Sequence, residues 1–224
     1  MTDALVSAAG ICRTFGAGPG CVTALADATF EISPGDRIAL MGPSGSGKTS
    51  LLHLIAALDQ PSGGTIEWPA LGRAEDLRPG PVAIAFQGPS LLPPLTVAEN
   101  VALPALLAGA AEAAAAAAAN VLIGELGLAD VASKLPEEIS GGQAQRAGVA
   151  RALIGQPRLI LADEPTGQLD SDSAAKVIDV LLEHAEAAGA ALVIATHDEA
   201  VTQRLPRRWT MTGRVLQTGT PCTL

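Results

Sequence analysis

The sequence predicts an α/β protein built around a mainly parallel sheet. Two observations carry that expectation. Short apolar runs that read as buried strands alternate with longer helical runs, the pattern of strands joined by helical crossovers. One of those strands runs through a Gly-rich loop straight into a helical pattern, a strand–loop–helix unit. A third observation modifies the picture: residues 91–156 are helical throughout and read as an insertion into the core. With 224 residues the chain suffices for one domain with a sizeable core and is too short for several.

Taken in order, the first third reads as strands broken by turns. Residues 21–32 hold short β-like runs, and Ser33-Pro34-Gly35-Asp36 marks a turn. Residues 37–41 (RIALM) form a short apolar strand, followed by the Gly-rich loop. A helical pattern over 50–58 ends at Asp59-Gln60-Pro61. Residues 82–86 form another strand, and Ala, Leu and Glu with Pro or Gly punctuation dominate 91–156. Residues 158–162 and 191–196 are two more buried strands, separated by a helix over 173–188. No internal repeat is present, and the alanines at 113–119 are the single low-complexity segment.

Composition excludes several function classes. The net charge is −9, from 14 Lys+Arg against 23 Asp+Glu, and the aromatics are three Phe and two Trp with no Tyr. A nucleic-acid binder needs basic patches and stacking platforms, so no nucleic-acid partner is expected. The 43 alanines inflate the 48% hydrophobic fraction while burying little area each. Cys12, Cys21 and Cys222 show no CxxC spacing and no His/Cys cluster, so neither a zinc site nor a disulfide framework is implied, and the odd count fits a reducing compartment. The first residues lack the basic start of a signal peptide. Residues 101–123 are almost uncharged, but Pro104, Glu112 and Asn120 within an Ala-rich run favour a helix of a soluble domain over a membrane span.

Gly42-Pro43-Ser44-Gly45-Ser46-Gly47-Lys48-Thr49 matches the phosphate-loop pattern GxxxxGK[ST]. Its glycines let consecutive backbone N–H groups face one phosphate chain, Lys48 reaches the β/γ-phosphates, and the Thr49 hydroxyl can ligate Mg²⁺. The helix that follows, opening near Ser50, points its positive end at the same anion. The loop alone fits an ATPase or a small-molecule kinase. Farther on, a buried strand ends in Asp163-Glu164: Asp163 suits the Mg²⁺ shell, and Glu164 can polarise a water for attack on the γ-phosphate. Ser140-Gly141-Gly142-Gln143 opens another helix, a second anion-binding arrangement. Two such helix starts and one nucleotide site are reconciled by a dimer in which each chain lends its Ser-Gly-Gly to the other's nucleotide.

With these motifs in place, the whole chain resembles an ABC-transporter nucleotide-binding subunit. The resemblance implies a RecA-like P-loop NTPase core with an N-terminal antiparallel β part and an inserted α-helical subdomain. The 1–224 chain is then one ABC ATPase domain, with its α/β core in 1–87 and 158–224 and its helical subdomain in 88–157. It implies ATP and Mg²⁺ as cofactors, held by the loop from Gly42 to Ser50 and by the signature Ser140, Gly141, Gly142 and Gln143. By the same resemblance Gln87 contacts Mg²⁺ and responds to a membrane subunit, residues 167–170 cross the dimer interface, His197 contacts the γ-phosphate, and Phe15 stacks on adenine. Glu164, His197 and Lys48 are the expected catalytic groups. The stretches 91–101 and 162–170 resemble the lipoprotein-release and macrolide-export group. Departures from that group are Gln168 for Asn, Ile139 for Leu, a shorter 73–81 segment and the 113–119 alanines.

The implied function is ATP hydrolysis that powers export or extraction of an extracytoplasmic substrate. The implied partners are a second copy, with nucleotide at the interface, and transmembrane permease subunits docked near Gln87 and residues 91–101. That places the chain peripherally at the cytoplasmic face of the membrane. A membrane-bound mechanical switch for cell-wall or division machinery is the alternative within the family, while Ser140–Gln143 and His197 argue against a small-molecule kinase. His53 and His184 read as helix residues without chemistry, Trp68 and Trp209 as packing or rim residues, and Lys176, Arg207 and Arg208 as solvated charge.

Overall fold

The computed structural model describes residues 3–16, 18–88 and 90–219; Cys222 lies outside them. The strands are β1 (Val6–Phe15), β2 (Val22–Ile32), β3 (Arg37–Met41), β4 (Gly63–Glu67), β5 (Val82–Ala85), β6 (Leu159–Asp163), β7 (Ala191–Ala195), β8 (Arg207–Thr212) and β9 (Val215–Thr218). The helices are α1 (Lys48–Ile55), α2 (Val97–Leu107), α3 (Glu112–Glu125), α4 (Gly141–Leu153), α5 (Ser171–Ala187) and the short α6 (Glu199–Thr202).

One sheet runs in the order β4-β1-β2-β9-β8-β3-β7-β6-β5. Strands β8, β3, β7, β6 and β5 pair in parallel, whereas β4, β1 and β2 pair antiparallel at the other end. The central strands are buried on both faces, so their apolar runs are continuous rather than alternating. Side chains still alternate by the strand period of two. Leu159 and Leu161 of β6 join Leu51, Leu52 and Ile55 of α1 in one core, while Ile160 and Ala162 join α4 and α5 in the other. Val193 of β7 follows the first set, Leu192 and Ile194 the second.

The expected helical insertion resolves into α2, α3 and α4 with 3-10 turns between them. It starts later than residue 91. Buried Asn100 spends its amide on the backbone of the preceding loop, accepting from Leu92 N–H at 2.7 Å and donating to the Leu92 and Leu95 carbonyls. That pins residues 92–95 outside the helix, and a Thr96/Glu99 capping box opens α2. The alanine run lies in α3, where Ala115 and Ala119, one turn apart, are buried and their neighbours face out. Among the described residues no helix is long and apolar enough to cross a membrane.

Three other expectations change. Residues 21–32 form the single strand β2 rather than several short runs. Helix α1 spans Lys48–Ile55 rather than 50–58, because Ala57 takes a left-handed φ of 50°. Arg207 is not solvated charge: it is half-buried and ion-paired with Asp36, whereas Arg208 and Lys176 are exposed. Trp209 is a packing residue, fully buried with its ring centroid 5.0 Å from that of Phe30.

Candidate functional site

The carboxyl ends of β3, β5, β6 and β7 lie side by side, the edge at which open α/β sheets bind ligands. From β3 the chain passes through the Gly42–Gly47 loop into α1; β5 leads to Gln87, β6 to Asp163 and Glu164, and β7 to His197. A cavity of about 630 Å³ at this edge is lined by Ser44, Gly45, Ser46, Gly47, Lys48, Thr49, Ser50, Gln87, Asp163, Glu164, Gly167 and His197. Most of the residues singled out from sequence therefore meet in one place. Gly42 and Pro43 act from behind it, their carbonyls accepting from Lys48 Nζ at 2.8 and 3.4 Å.

The loop needs glycine where its backbone touches other strands. Gly47 has φ 104°, and a Cβ there would stand 2.2 Å from the Ala24 carbonyl oxygen of β2. At Gly42 a Cβ would stand 2.7 Å from both Met211 O and Ser46 Oγ. The cavity wall thus consists of backbone, open to an anion on one side and closed by β2 and β8 on the other.

Four ionisable side chains set the electrostatics. Lys48 is buried, with Nζ 3.6 Å from Glu164 Oε1, and Glu164 Oε2 lies 2.9 Å from Nδ1 of the exposed His197. Glu164 is also buried and holds a left-handed φ of 46°, a conformation non-glycine residues occupy only when surroundings impose it. The Thr49 hydroxyl donates to Asp163 Oδ2 at 2.6 Å. Burial pushes the Asp163 carboxyl above the usual carboxylate range; the Thr49 bond opposes that rise, and the neighbouring Glu164 charge adds to it.

Two buried polar atoms here have no hydrogen-bond partner among the described residues: Ser46 Oγ and Asp163 Oδ1. Orphaned polar atoms are costly, and these line the cavity, so a ligand that bonds them fits. The donor set around Ser46 and Lys48 fits phosphate oxygens. The hard oxygen set of Thr49, Gln87 and Asp163 fits a Mg²⁺ ion.

Phe15 and the Ser140–Gln143 segment are not brought to this cavity. Phe15 stands at its rim, paired across the sheet with the lining residue Val22, 44% exposed, with the Arg13 guanidinium 4.4 Å from its ring centroid. Ser140 caps α4, accepting from Gln143 N–H at 3.2 Å while Gln143 Oε1 accepts from Ser140 N–H at 2.8 Å. Gly141 and Gly142 pack against Gln168, so closely that a Cβ on Gly141 would lie 2.7 Å from its Oε1.

Sequence reasoning missed Val22, Thr23, Ala24 and Arg214, all of which line the cavity. No local motif marks the first three; they reach the loop through strand order. Arg214 had a signal. Gly213-Arg214, with φ of 58° and 67°, forms the tight hairpin turn between β8 and β9, and Ala26 N–H anchors it by donating to the Arg214 carbonyl at 2.7 Å.

A second cavity of about 560 Å³ lies beside Gln87, between β5 and α2. Its walls are mainly apolar, with Phe86, Leu103, Pro104 and Leu107 facing Arg78 and Arg151. Its α2 wall lies just past the 91–101 stretch expected to dock a partner.

Comparison with known proteins supplies the context. The family described as ABC transporter matches residues 25–167. The chain is similar to the lipoprotein-releasing system ATP-binding protein LolD of Legionella pneumophila, 39% identical over 214 residues that cover 92% of this chain and 94% of that one. The LolD of Shewanella oneidensis is 37% identical, with 97% of each chain covered. Among solved structures, the dimeric ATP-binding cassette MJ0796 in a post-hydrolysis state bound to ADP and Pi superposes with a TM-score of 0.91 at 30% identity, covering 98% of this chain and 99% of that one. A second dimeric MJ0796 structure gives 0.90.

Proposed function

The chain belongs to the ABC transporter ATP-binding family, and from that premise we propose that it powers a membrane complex that releases lipoproteins. It is an ATPase of that family. The observation that carries the finer reading is its likeness to LolD proteins over almost its whole length, which favours extraction of an extracytoplasmic substrate over a mechanical switch for cell-wall machinery.

In this reading the loop N–H groups, Lys48 and the α1 N-terminus neutralise the ATP phosphates. Lys48 exchanges its carbonyl contacts on Gly42 and Pro43 for phosphate oxygens. Glu164 takes a proton from the attacking water as its oxygen bonds the γ-phosphorus and the bond to the β-phosphate oxygen breaks, leaving ADP and phosphate. His197, bonded to Glu164 Oε2, holds the carboxylate and meets the γ-phosphate from the open side. A Mg²⁺ ion held by Thr49, Gln87 and Asp163 would neutralise charge developing between the β- and γ-phosphates. Phe15 would stack on adenine from the rim.

The Ser140–Gln143 segment serves the nucleotide of a second copy. That arrangement is supported by its position outside its own chain's cavity and by the dimeric form of the structural relatives. Residues 88–157 would act as a helical arm on the 1–87 and 158–224 core within one domain. The cavity beside Gln87 would take a segment of a transmembrane permease, keeping the chain at the cytoplasmic membrane face as a peripheral subunit. The test is Glu164→Gln. It should keep ATP binding, reduce turnover by roughly a hundredfold or more, and trap an ATP-dependent dimer by size exclusion. A fully active monomer would sink the shared-site mechanism, and the membrane protein that co-purifies with the wild-type chain identifies the transported class.

A further inference from the structure

The backbone of Glu164 is held from three directions. Its N–H donates to the Ala195 carbonyl of β7 at 2.9 Å, and its carbonyl accepts from Gly167 N–H at 3.2 Å. The third partner is a side chain: Gln145 Nε2 donates to the same carbonyl at 3.0 Å. Gln145 is only 5% exposed and comes from α4, five residues beyond the Ser140 cap. No other described side chain bonds the Glu164 backbone.

The grip matters because of how Glu164 is built. Its left-handed φ of 46° is intrinsically unfavourable, so the peptide will relax unless neighbours over-determine it. A change in that φ swings the carboxylate, which stands between Lys48 at 3.6 Å and His197 at 2.9 Å. We infer that Gln145 is a positioning residue for hydrolysis: it fixes the Glu164 peptide, and hence the direction of the Glu164 carboxylate, from the helix whose first turn is Gly141-Gly142-Gln143. This rests on the reading of Glu164 as the base. It adds a consequence that the phosphate-binding motifs do not contain. If Ser140–Gln143 meets the nucleotide of a second copy, a tilt of α4 reaches the base of its own chain through Gln145, so each site senses occupancy of the other.

The test compares ATP turnover by the full chain as wild type, Gln145→Met, Glu164→Gln and the double variant. Met matches the length of Gln and lacks the donor, and the Glu164 carbonyl keeps Gly167 N–H, so no acceptor is left bare. Misplacing a reacting group by about 1 Å costs on the order of a hundredfold. Gln145→Met should therefore lower kcat roughly ten- to a hundredfold while KM for ATP stays within about twofold. In the Glu164→Gln background it should remove nothing further, because its effect passes through that carboxylate. Losses that multiply in the double variant, or a Gln145→Met protein as fast as wild type, overturn the inference. Should Met fail to fold, Gln145→Leu also lacks a donor and is held to the same two outcomes. If Glu164→Gln alone leaves turnover intact, the reading of the base fails first, and the two failures are distinguishable.

Discussion

The Thr49 hydroxyl donates to Asp163 Oδ2 at 2.6 Å although β7 separates β3, the strand that leads to Thr49, from β6, which carries Asp163. The bond joins the start of α1 to the end of β6 and leaves Asp163 Oδ1 buried without a partner among the described residues. Such an arrangement favours function over stability, since a buried carboxylate with an unmet oxygen is expensive unless a cation takes it.

Asp163→Asn isolates that cost. Burial raises the Asp163 pKa on folding, so the folded state holds its proton more tightly than the unfolded chain. Stability from this group is therefore fully present below the unfolded carboxyl value and is lost as pH rises through the folded value. At neutral pH the variant should melt higher, by about 2–4 °C if the gain is on the order of 1 kcal/mol after solvent screening. The gain should narrow as the pH falls toward about 4. Thermal melts at several pH values measure it, while ATP turnover should fall at least a hundredfold, as expected for loss of an ion-binding carboxylate.

Phe15→Ala separates binding from folding. The ring is 44% exposed and stacks only with Arg13 in the described structure, so its removal should leave the melting temperature within a degree or two of wild type, as exposed substitutions do. If the open face of the ring carries adenine, the Kd for ATP should rise roughly tenfold, from the 1–3 kcal/mol typical of base stacking. Isothermal titration with ATP and with inorganic triphosphate distinguishes this: only the adenine-bearing ligand should weaken.

Lys48→Ala should act on the phosphates instead. Among the described residues its ammonium is the one Lys or Arg group within 4 Å of the Glu164 carboxylate, and it reaches both loop carbonyls. Its removal should weaken ATP and triphosphate alike, by roughly ten- to a hundredfold, the size of a lost charge-assisted bond. Equal weakening of the two ligands is the discriminating result, and unchanged affinity would exclude a role for Lys48 in phosphate binding.

What the sequence disclosed, and what it hid, follows from the range of the forces involved. The strand 37–41, the phosphate loop, the Asp163-Glu164 pair and the 191–196 strand were legible because each is a local pattern: an apolar run, a turn chemistry, a charge at a strand end. The meeting of Thr49 with Asp163, 114 residues apart, followed from the chemistry expected of the two motifs together. Val22, Thr23 and Ala24 were hidden because strand order, not local sequence, lays β2 against the loop. The ion pair of Arg207 with Asp36 was hidden for the same reason, its partner lying 171 residues away. Asn100 misled in the opposite direction. Its neighbours have helical composition, but its buried amide satisfies the loop before α2 and so delays the helix start.

Gly47→Ala tests how tightly that hidden contact with β2 is set. The substitution meets two obstacles at once: a φ of 104° that L side chains rarely adopt, and a Cβ placed 2.2 Å from the Ala24 carbonyl oxygen. Backbone, not a flexible side-chain tip, is the obstacle, so either the loop or β2 must shift. The cost should be about 2–4 kcal/mol, which a domain of this size reads as a fall of roughly 5–15 °C in Tm. Gly45→Ala is the control, because that residue has φ 75° but nothing within 4 Å of a Cβ, so it bears the backbone strain alone and should lose about 1 kcal/mol. Equal losses at the two positions would mean that β2 yields to the loop, and the cavity wall would then be pliable where Gly47 meets Ala24.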